Sequence, residues 1–284
     1  MANIAIMTDS DSSIPADVAE RLDIAQAPIS IQFGEESYDA GVTIDDKALF
    51  ERVDRLGKLP TTAAPTPGKY ADAFQKALDS GAESVICITV SSKISASYQA
   101  AGAARDLFPD RDITIVDSNS LSMGQGFMTI AAREAVLQGA TKGEAIAAAL
   151  DVGKRTHLFA ALSTLKYLAM SGRVGYLAAG MATILAVKPI LTIKDGKLEV
   201  LERVRTRSKA LSRVVECAAQ AAGGKPIERM ALIHVNAIDD ARELHKMLCA
   251  SLPCPESVTY AELTPGLSAH AGAGVAGVVI VTAR

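Results

Sequence analysis

Ser84-Val85-Ile86-Cys87-Ile88-Thr89-Val90, followed at once by Ser91-Ser92-Lys93-Ile94-Ser95, is the stretch on which the fold turns. An apolar run this dense reads as a strand buried on both faces, and such strands belong to parallel sheets covered by helices. Working outward, the same order recurs: apolar run, hydroxyl-rich turn, helix. Ile4-Ala5-Ile6-Met7 runs into Thr8-Asp9-Ser10-Asp11-Ser12-Ser13, and Pro15 opens a helical pattern with Val18, Ala19 and Leu22. Pro28 to Phe33 is a second strand candidate. Thr66 is placed to cap a helix that Pro67 opens and that runs to about Leu78. A helix follows the central strand from about Ser95 to Leu107. Ile113-Thr114-Ile115-Val116 then leads through Asp117-Ser118-Asn119-Ser120-Leu121-Ser122 into a helix ending near Gln138. This alternation predicts an α/β fold, its N-terminal sheet mostly parallel and flanked by helices on both faces.

The pattern changes further on. Helical stretches are expected over Lys142–Lys154 and Leu158–Met170, ending at Ser171-Gly172-Arg173. Ile190–Ile193 and Leu198–Val204 flank Lys194-Asp195-Gly196-Lys197, a hairpin signal. Helices near 207–221 and 238–251 alternate with strands near 229–235, 257–262 and 277–282. The reading is therefore an α/β domain over residues 1–155 and an α+β domain over 156–284.

Composition narrows the function. The 284 residues are 49% hydrophobic and 21% charged, which excludes disorder. Lys plus Arg number 29 against 32 Asp plus Glu, a net charge of −3, and aromatic residues are 4% with no Trp. That balance argues against a nucleic-acid partner, which calls for basic excess or stacking platforms. The N-terminus lacks a basic, apolar leader. The uncharged run Val174–Val187 falls well short of a ~30 Å bilayer core at about 1.5 Å per residue, so no stable membrane insertion is expected. Leu263–Ala283 is uncharged too, but its Pro265 and glycines read as a loop plus a strand. Cys87, Cys217, Cys249 and Cys254 are scattered; Cys249 and Cys254 have no second pair or flanking His, so the expectation is free thiols in a cytoplasmic protein and no metal site.

Ligands of open α/β sheets bind outside the carboxyl ends of the strands. Here those ends carry hydroxyls: the loops 8–13, 91–99 and 117–122, with Pro60-Thr61-Thr62-Ala63-Ala64-Pro65-Thr66-Pro67-Gly68 between them. Hydroxyls beside free N–H groups at helix starts make a site for a carboxylate or phosphate; the competing reading is ordinary caps and turns. Gly272-Ala273-Gly274-Val275-Ala276-Gly277 matches a dinucleotide motif in form only, because a strand rather than a helix follows. Ser163-Thr164-Leu165-Lys166 lacks the partner motifs of a serine acyl-transfer enzyme. His270, among small residues, is either a turn histidine or a donor to an anion. Arg203, Arg205 and Arg207 alternate at period two, as a charge-protected edge or a docking patch. No nucleophile paired with a base stands out.

Taken in order, these pieces resemble the DegV family along nearly the whole chain. They are Thr8-Asp9-Ser10 with Pro15, Pro60-Thr61-Thr62 with Pro65 and Pro67-Gly68, and Ser91-Ser92-Lys93-Ile94-Ser95 with Tyr98-Gln99. Val116-Asp117-Ser118 with Gly124-Gln125-Gly126, Leu165-Lys166-Tyr167-Leu168 with Ser171-Gly172-Arg173-Val174, Lys188-Pro189-Ile190-Leu191 and His270-Ala271-Gly272 complete the series. The resemblance implies a two-domain α/β protein that binds one long-chain fatty acid without a cofactor, similar to the lipid-binding subunit of bacterial fatty acid kinase. It implies an apolar tunnel for the chain, a carboxylate held by hydroxyl and His groups, and a separate ATP-dependent kinase subunit that phosphorylates that carboxylate. Carried over by position, the head-group roles fall on Thr62 or its neighbour Thr61, on Ser92 and Ser95, and on His270. Arg173 and Arg205 match arginines near the head group or partner surface. The chain departs from the family pattern at Ala63, at Ser95-Ala96-Ser97 and at His270-Ala271-Gly272-Ala273, keeping the primary Ser and His while losing flanking polar groups. Apolar segments such as Leu177–Val187 are candidates for the tunnel wall. The alternative is a stand-alone hydrolase or phosphotransferase acting on a small anionic substrate.

Overall fold

The computed structural model describes residues 3–172 and 187–284. The first half runs β1 (Ile4–Asp9), a 3-10 turn (Ser10–Ser12), α1 (Ala16–Arg21), β2 (Ile24–Ala27), β3 (Ser30–Phe33), β4 (Glu36–Asp39), α2 (Asp46–Leu56), β5 (Thr61–Ala63), α3 (Pro67–Asp79), β6 (Ser84–Thr89), α4 (Ser97–Arg105), β7 (Asp112–Asp117), α5 (Met123–Leu137) and α6 (Lys142–Lys154). The second half contains β8 (Thr156–Ala161), α7 (Lys166–Ser171), β9 (Lys188–Lys194), β10 (Lys197–Val204), α8 (Arg207–Ala222), β11 (Ile227–Val235), α9 (Ile238–Ser251), β12 (Val258–Glu262), α10 (Pro265–Ala271) and β13 (Val275–Thr282).

The central strand β6 is buried along its whole length and pairs in parallel with β1 and β7; the four-stranded order is β2-β1-β6-β7. Side chains alternate across it, as the two-residue period of a strand requires. Met7, Val85 and Cys87 pack with Tyr70 and Phe74 of α3 and Ala101 of α4. Ile4, Ile6, Ile86 and Ile88 face the other way, onto Met123, Phe127 and Met128 of α5. A second, six-stranded mixed sheet has the order β10-β9-β8-β13-β11-β12, and one of its faces joins that same core through Leu158, Ala160, Ile233 and Val279. Its outer face is covered by α8 and α9. Helix α5 contacts strands of both sheets, so Met123–Ala132 is buried all round. The layers are thus helices, parallel sheet, α5 with α6, mixed sheet, helices. Each fully buried aliphatic side chain contributes roughly 1.5–3 kcal/mol.

Several expectations hold in detail. Thr66 Oγ1 accepts from Lys69 N (3.3 Å) with Pro67 next in the chain. The Asp195-Gly196 turn joins β9 to β10 with φ of 50° and 75°, the left-handed pair that a two-residue hairpin selects. Three expectations fail. Leu158–Met170 is not one helix: Thr156–Ala161 is strand β8, paired with β13 on one side and β9 on the other, and only Lys166–Ser171 is helical. A short apolar run buried on both sides has no period to tell strand from helix. The region after Leu263 is not loop plus strand, because Pro265 opens α10. Cys249 and Cys254 are joined in a disulfide, while Cys87 and Cys217 are free and buried. The turn through Pro253 brings the two Cα atoms to 5.2 Å, within bonding reach. Arg173 and the run 177–187, Val187 apart, lie outside the described residues. Among the described residues no helix is long and apolar enough to cross a membrane.

A third, small sheet β4-β3-β5 sits with α2 beside α10, so the end of the chain returns to its first half. Hydrogen bonds fasten this return: Thr264 Oγ1 donates to Ser10 O (2.9 Å), and Ser268 Oγ donates to Asp46 Oδ2 (2.7 Å). Burial pushes the Asp46 carboxyl up to about 7; the Ser268 bond opposes this, and the Glu262 and Asp45 charges add to it.

At the centre of the parallel sheet lies Asp9, fully buried. Its Oδ2 accepts from Val90 N (2.9 Å) and its Oδ1 from Asp11 N (3.1 Å) and Gln125 Nε2 (3.0 Å). Gln125 Nε2 also reaches Thr8 Oγ1 (2.8 Å). Burial raises the Asp9 carboxyl to about 6 against the pull of these donors. Gln125→Ala removes one of them from a carboxylate without solvent, and should cost roughly 2–4 kcal/mol in urea unfolding. A cost below about 0.5 kcal/mol would mean that the network is dispensable.

Asp46 gives a pH test. Its carboxyl binds a proton more tightly folded than unfolded, so stability falls as pH rises from the ordinary 3.8 toward 7 and levels off above. Asp46→Asn, which keeps an acceptor for Ser268, should raise Tm at pH 8 by clearly more than at pH 5. The gain at pH 8 is expected to be on the order of a few kcal/mol. Equal gains at both pH values would show that Asp46 titrates normally.

Candidate functional site

The carboxyl ends of β1 and β6 splay apart above the parallel sheet, and the gap is shaped by backbone hydrogen bonds. Asp9 holds Asp11 N and Val90 N from either side, which fixes the start of both loops. Ser91 N donates to Ser120 O (2.8 Å), and Ser92 N to Asp117 Oδ1 (3.2 Å), so the loop after β7 props the loop after β6. The result is a cavity of about 540 Å³ walled by Asp11, Thr62, Ser92, Lys93, Ser95 and His270, among others.

The expected site residues do not all meet there. Thr62 and His270, 208 positions apart, are in direct contact: Thr62 Oγ1 lies 2.7 Å from His270 Nε2. Ser92 and Ser95 line the same cavity. Thr61 does not, because alternation along β5 turns it away; its hydroxyl lies exposed, 3.5 Å from Gln32 Oε1. Arg205 is exposed at the turn between β10 and α8 and lines neither this cavity nor the apolar one below. Arg207 is no part of a free basic patch: it is paired with Asp240 of α9 at 2.6 Å and donates to Ala161 O.

For some hydroxyls the cap-and-turn reading is the right one. Ser10 Oγ accepts from Ile29 N (3.0 Å), and Ser118 and Ser120 bond to each other's loop. Ser95 serves both readings. Its hydroxyl accepts from Ser97 N (3.3 Å) at the start of α4, which begins two residues later than expected, and it also lines the cavity. The glycines after His270 serve protein packing. Gly272, at φ 78°, passes so close to the Tyr167 ring that a Cβ would sit 2.4 Å from it, and at Gly274 it would sit 2.3 Å from Ser163 Oγ.

A second cavity opens between the sheets. It is about 70 Å³, with Leu158, Leu162, Leu191, Ile233, Leu263 and Val275 among its walls, and among the described residues His270 is its one polar lining residue. Ile94, Leu267 and His270 belong to both cavities. A polar chamber therefore lies against an apolar one, with Ile94, Leu267 and His270 as their common wall. Sequence reasoning missed Asp11 and Lys93 as wall residues, and missed Leu263, which directly follows β12, and Leu267, which the unforeseen α10 delivers. Pro265 after Thr264 was the available signal.

Chemically, the chamber offers hydroxyl and imidazole groups, the Asp11 carboxyl and the Lys93 ammonium, whose Nζ also donates to Asp195 O (2.6 Å). The Thr62–His270 contact also has the spacing of a nucleophile and its base, a pair that the sequence alone did not suggest. Among the described residues the one set of three His, Cys, Asp or Glu ligand atoms close enough to hold a metal is His245, Cys249 and Cys254, and none of these lines either cavity.

The fold and the sequence have close counterparts. A DegV domain-containing protein of Streptomyces coelicolor is 33% identical over 278 residues, covering 98% of each chain. Protein DegV of Bacillus subtilis is 33% identical over 253 residues, covering 88% of this chain and 89% of that one. A DegV family protein from Thermus thermophilus, described for its fatty acid binding, superposes with a TM-score of 0.91 at 29% identity over 99% of this chain and all of that one. Bacillus subtilis DegV, described as a fatty acid binding protein, superposes with a TM-score of 0.87 at 29% identity over the whole of both chains. The sequence profile described as "Uncharacterised protein, DegV family" matches residues 3–283, and the chain belongs to the DegV family.

Proposed function

We propose that this protein binds one long-chain fatty acid, with its carboxylate in the polar chamber and its chain in the apolar cavity, between a unit spanning residues 1–155 and one spanning 156–284. The observation that carries this reading is the adjacency of the two cavities, which share His270, Ile94 and Leu267 as walls. A small anion needs only the first chamber. Relatives described as fatty acid binding support the same reading.

The head group is assigned to Thr62, Ser95 and His270, with Ser92 beside them. A hydroxyl or imidazole N–H donating to a carboxylate contributes roughly 1.5–3 kcal/mol. Asp11 disfavours an ionised guest on its own side, which sets the carboxylate against the opposite wall. The chain supplies most of the affinity, at roughly 0.8 kcal/mol per buried CH₂. The apolar cavity, about 70 Å³, is smaller than the ~150 Å³ that holds a benzene, so its walls must part as a long chain enters. We assign the protein a non-catalytic role in the bacterial cytoplasm, presenting the fatty acid carboxylate to an ATP-dependent kinase subunit. Arg205, exposed and remote from the chambers, is the candidate contact for that partner; Arg173 is a second. The Thr62–His270 pair favours a rival reading, a stand-alone hydrolase.

Organic extraction of the purified protein should return about one acyl chain per polypeptide, or the emptied protein should take one up. Fatty acid at about 100 times Kd should then add about 2.7 kcal/mol to stability. No acyl species and no uptake would refute the proposal; turnover of acyl esters that is lost in Thr62→Val would replace it with the hydrolase reading.

Ser95→Ala should weaken fatty acid binding by about ten- to a hundredfold with the fold intact. A lower Tm with unchanged affinity would reduce Ser95 to a cap.

Arg205→Glu should reduce kinase-dependent acyl phosphate formation while leaving fatty acid affinity unchanged. Equal loss of both would place Arg205 in the binding site.

A further inference from the structure

Helix α9 ends in Leu248-Cys249-Ala250-Ser251, and the chain turns through Leu252-Pro253 to Cys254. His245 lies one helical turn before Cys249, so the two side chains share a face. The ligand atoms of His245, Cys249 and Cys254 all lie within 4.8 Å of one another. The two sulfurs are bonded to each other in the disulfide; zinc–sulfur bonds of about 2.3 Å at a tetrahedral angle need them roughly 3.8 Å apart, which side-chain rotation across a Cα separation of 5.2 Å can reach once the bond is reduced. The set is reachable from solvent: Cys249 is exposed and the other two are half-buried. His245 Nδ1 is 2.6 Å from Tyr260 Oη on the neighbouring strand β12, which leaves Nε2 for a ligand. A second hydrogen bond of this kind is how metal-bound imidazoles are held in one tautomer and orientation. Met230 Sδ, 3.9 Å from Cys254 Sγ, adds another soft atom nearby.

We propose that the reduced chain binds one thiophilic divalent cation, zinc being the first choice, through His245, Cys249 and Cys254, and that the disulfide closes this site. Two thiolates and an imidazole suit zinc, whose fourth position a water can fill. A dithiol reductant opens the site: it gives two electrons and two protons to the Cys249–Cys254 disulfide, yielding two thiols, and becomes a disulfide itself. The cation then displaces both thiol protons. The site is separate from the chamber at His270, so the inference stands or falls apart from fatty acid binding.

The test is titration of the full chain with zinc chloride against a chromophoric chelator, before and after reduction and removal of the dithiol, with cobalt(II) as a spectroscopic probe of thiolate ligation. The reduced protein should bind one equivalent with a cobalt–thiolate band, and the oxidised protein none. His245→Ala and Cys254→Ser should weaken binding by at least the ~10–100-fold that loss of a mere supporting hydrogen bond costs, the latter being the expectation for Tyr260→Phe. Cys249→Ser, at the exposed position, serves if Cys254→Ser does not fold. Absence of zinc uptake by the reduced chain, equal uptake by the oxidised chain, or full affinity in His245→Ala would each overturn the proposal.

Discussion

The Asp9 carboxylate is the constraint around which the first half of the molecule is arranged. It sits at the end of β1 with no access to water and takes hydrogen bonds from Asp11 N, Val90 N and Gln125 Nε2. A buried carboxylate is costly unless its lone pairs are met, so these three donors are held where the carboxylate needs them. Two of them are N–H groups at the start of the loops that wall the polar chamber. The third comes from α5, the helix packed between both sheets. One group therefore couples the spacing of β1 and β6, the course of both loops and the seating of the central helix.

The chamber needs a far wall, and the end of the chain supplies it. Helix α10 follows a strand of the mixed sheet yet packs on α2, β3 and β5 of the first half. Thr264, Ser268 and His270 each bond across that gap, to Ser10 O, Asp46 and Thr62. These contacts come from the N-cap and from two sides of a seven-residue helix that is too short to be stable alone, so the bonds and the burial of Leu267 define it. The same helix places both His270 and Leu267 in the wall that the two cavities share. That is how a fold made of two sheets acquires a site with two chemistries.

Much of this was legible in the sequence because it rests on local physics. The βαβ order, the cap at Thr66, the Asp195-Gly196 turn and the hydroxyl loops all follow from period and turn chemistry. What was not legible is what depends on distant partners. Residues 158–162 carry no period because both faces are buried, Leu158, Ala160 and Leu162 in the core with α5 and Phe159 and Ala161 in the core with α8. Gln125 sits in a helix and gives no sign of reaching Asp9. Thr61 and Thr62 are equivalent on paper, and only the register of β5 against β3 separates them. His270 was singled out by its small neighbours, yet those glycines accommodate Tyr167 and Ser163; its real distinction, contact with Thr62, spans most of the chain. The disulfide was missed because a five-residue separation says nothing about how Pro253 turns the backbone.

The two chambers divide the work of recognition unequally. One hydrogen bond to a charged head group, at roughly 1.5–3 kcal/mol, equals the burial of about two to four methylenes. On our reading the hydroxyl and imidazole groups thus fix which end of the ligand enters first, while chain length governs affinity. A cavity this small sharpens that dependence. Widening it moves Ile94, Leu121 and Leu267 away from the mixed-sheet wall of Leu158, Leu191, Ile233 and Val275, and the first methylenes that enter must offset that cost. A short chain opens the cavity without filling it, so its net gain per carbon is smaller than the transfer value. Once the walls are apart, each further carbon gains the full value. On this reading selectivity for long chains follows from the packing of Ile94, Leu121 and Leu267 against the mixed sheet and needs no polar contact at the far end.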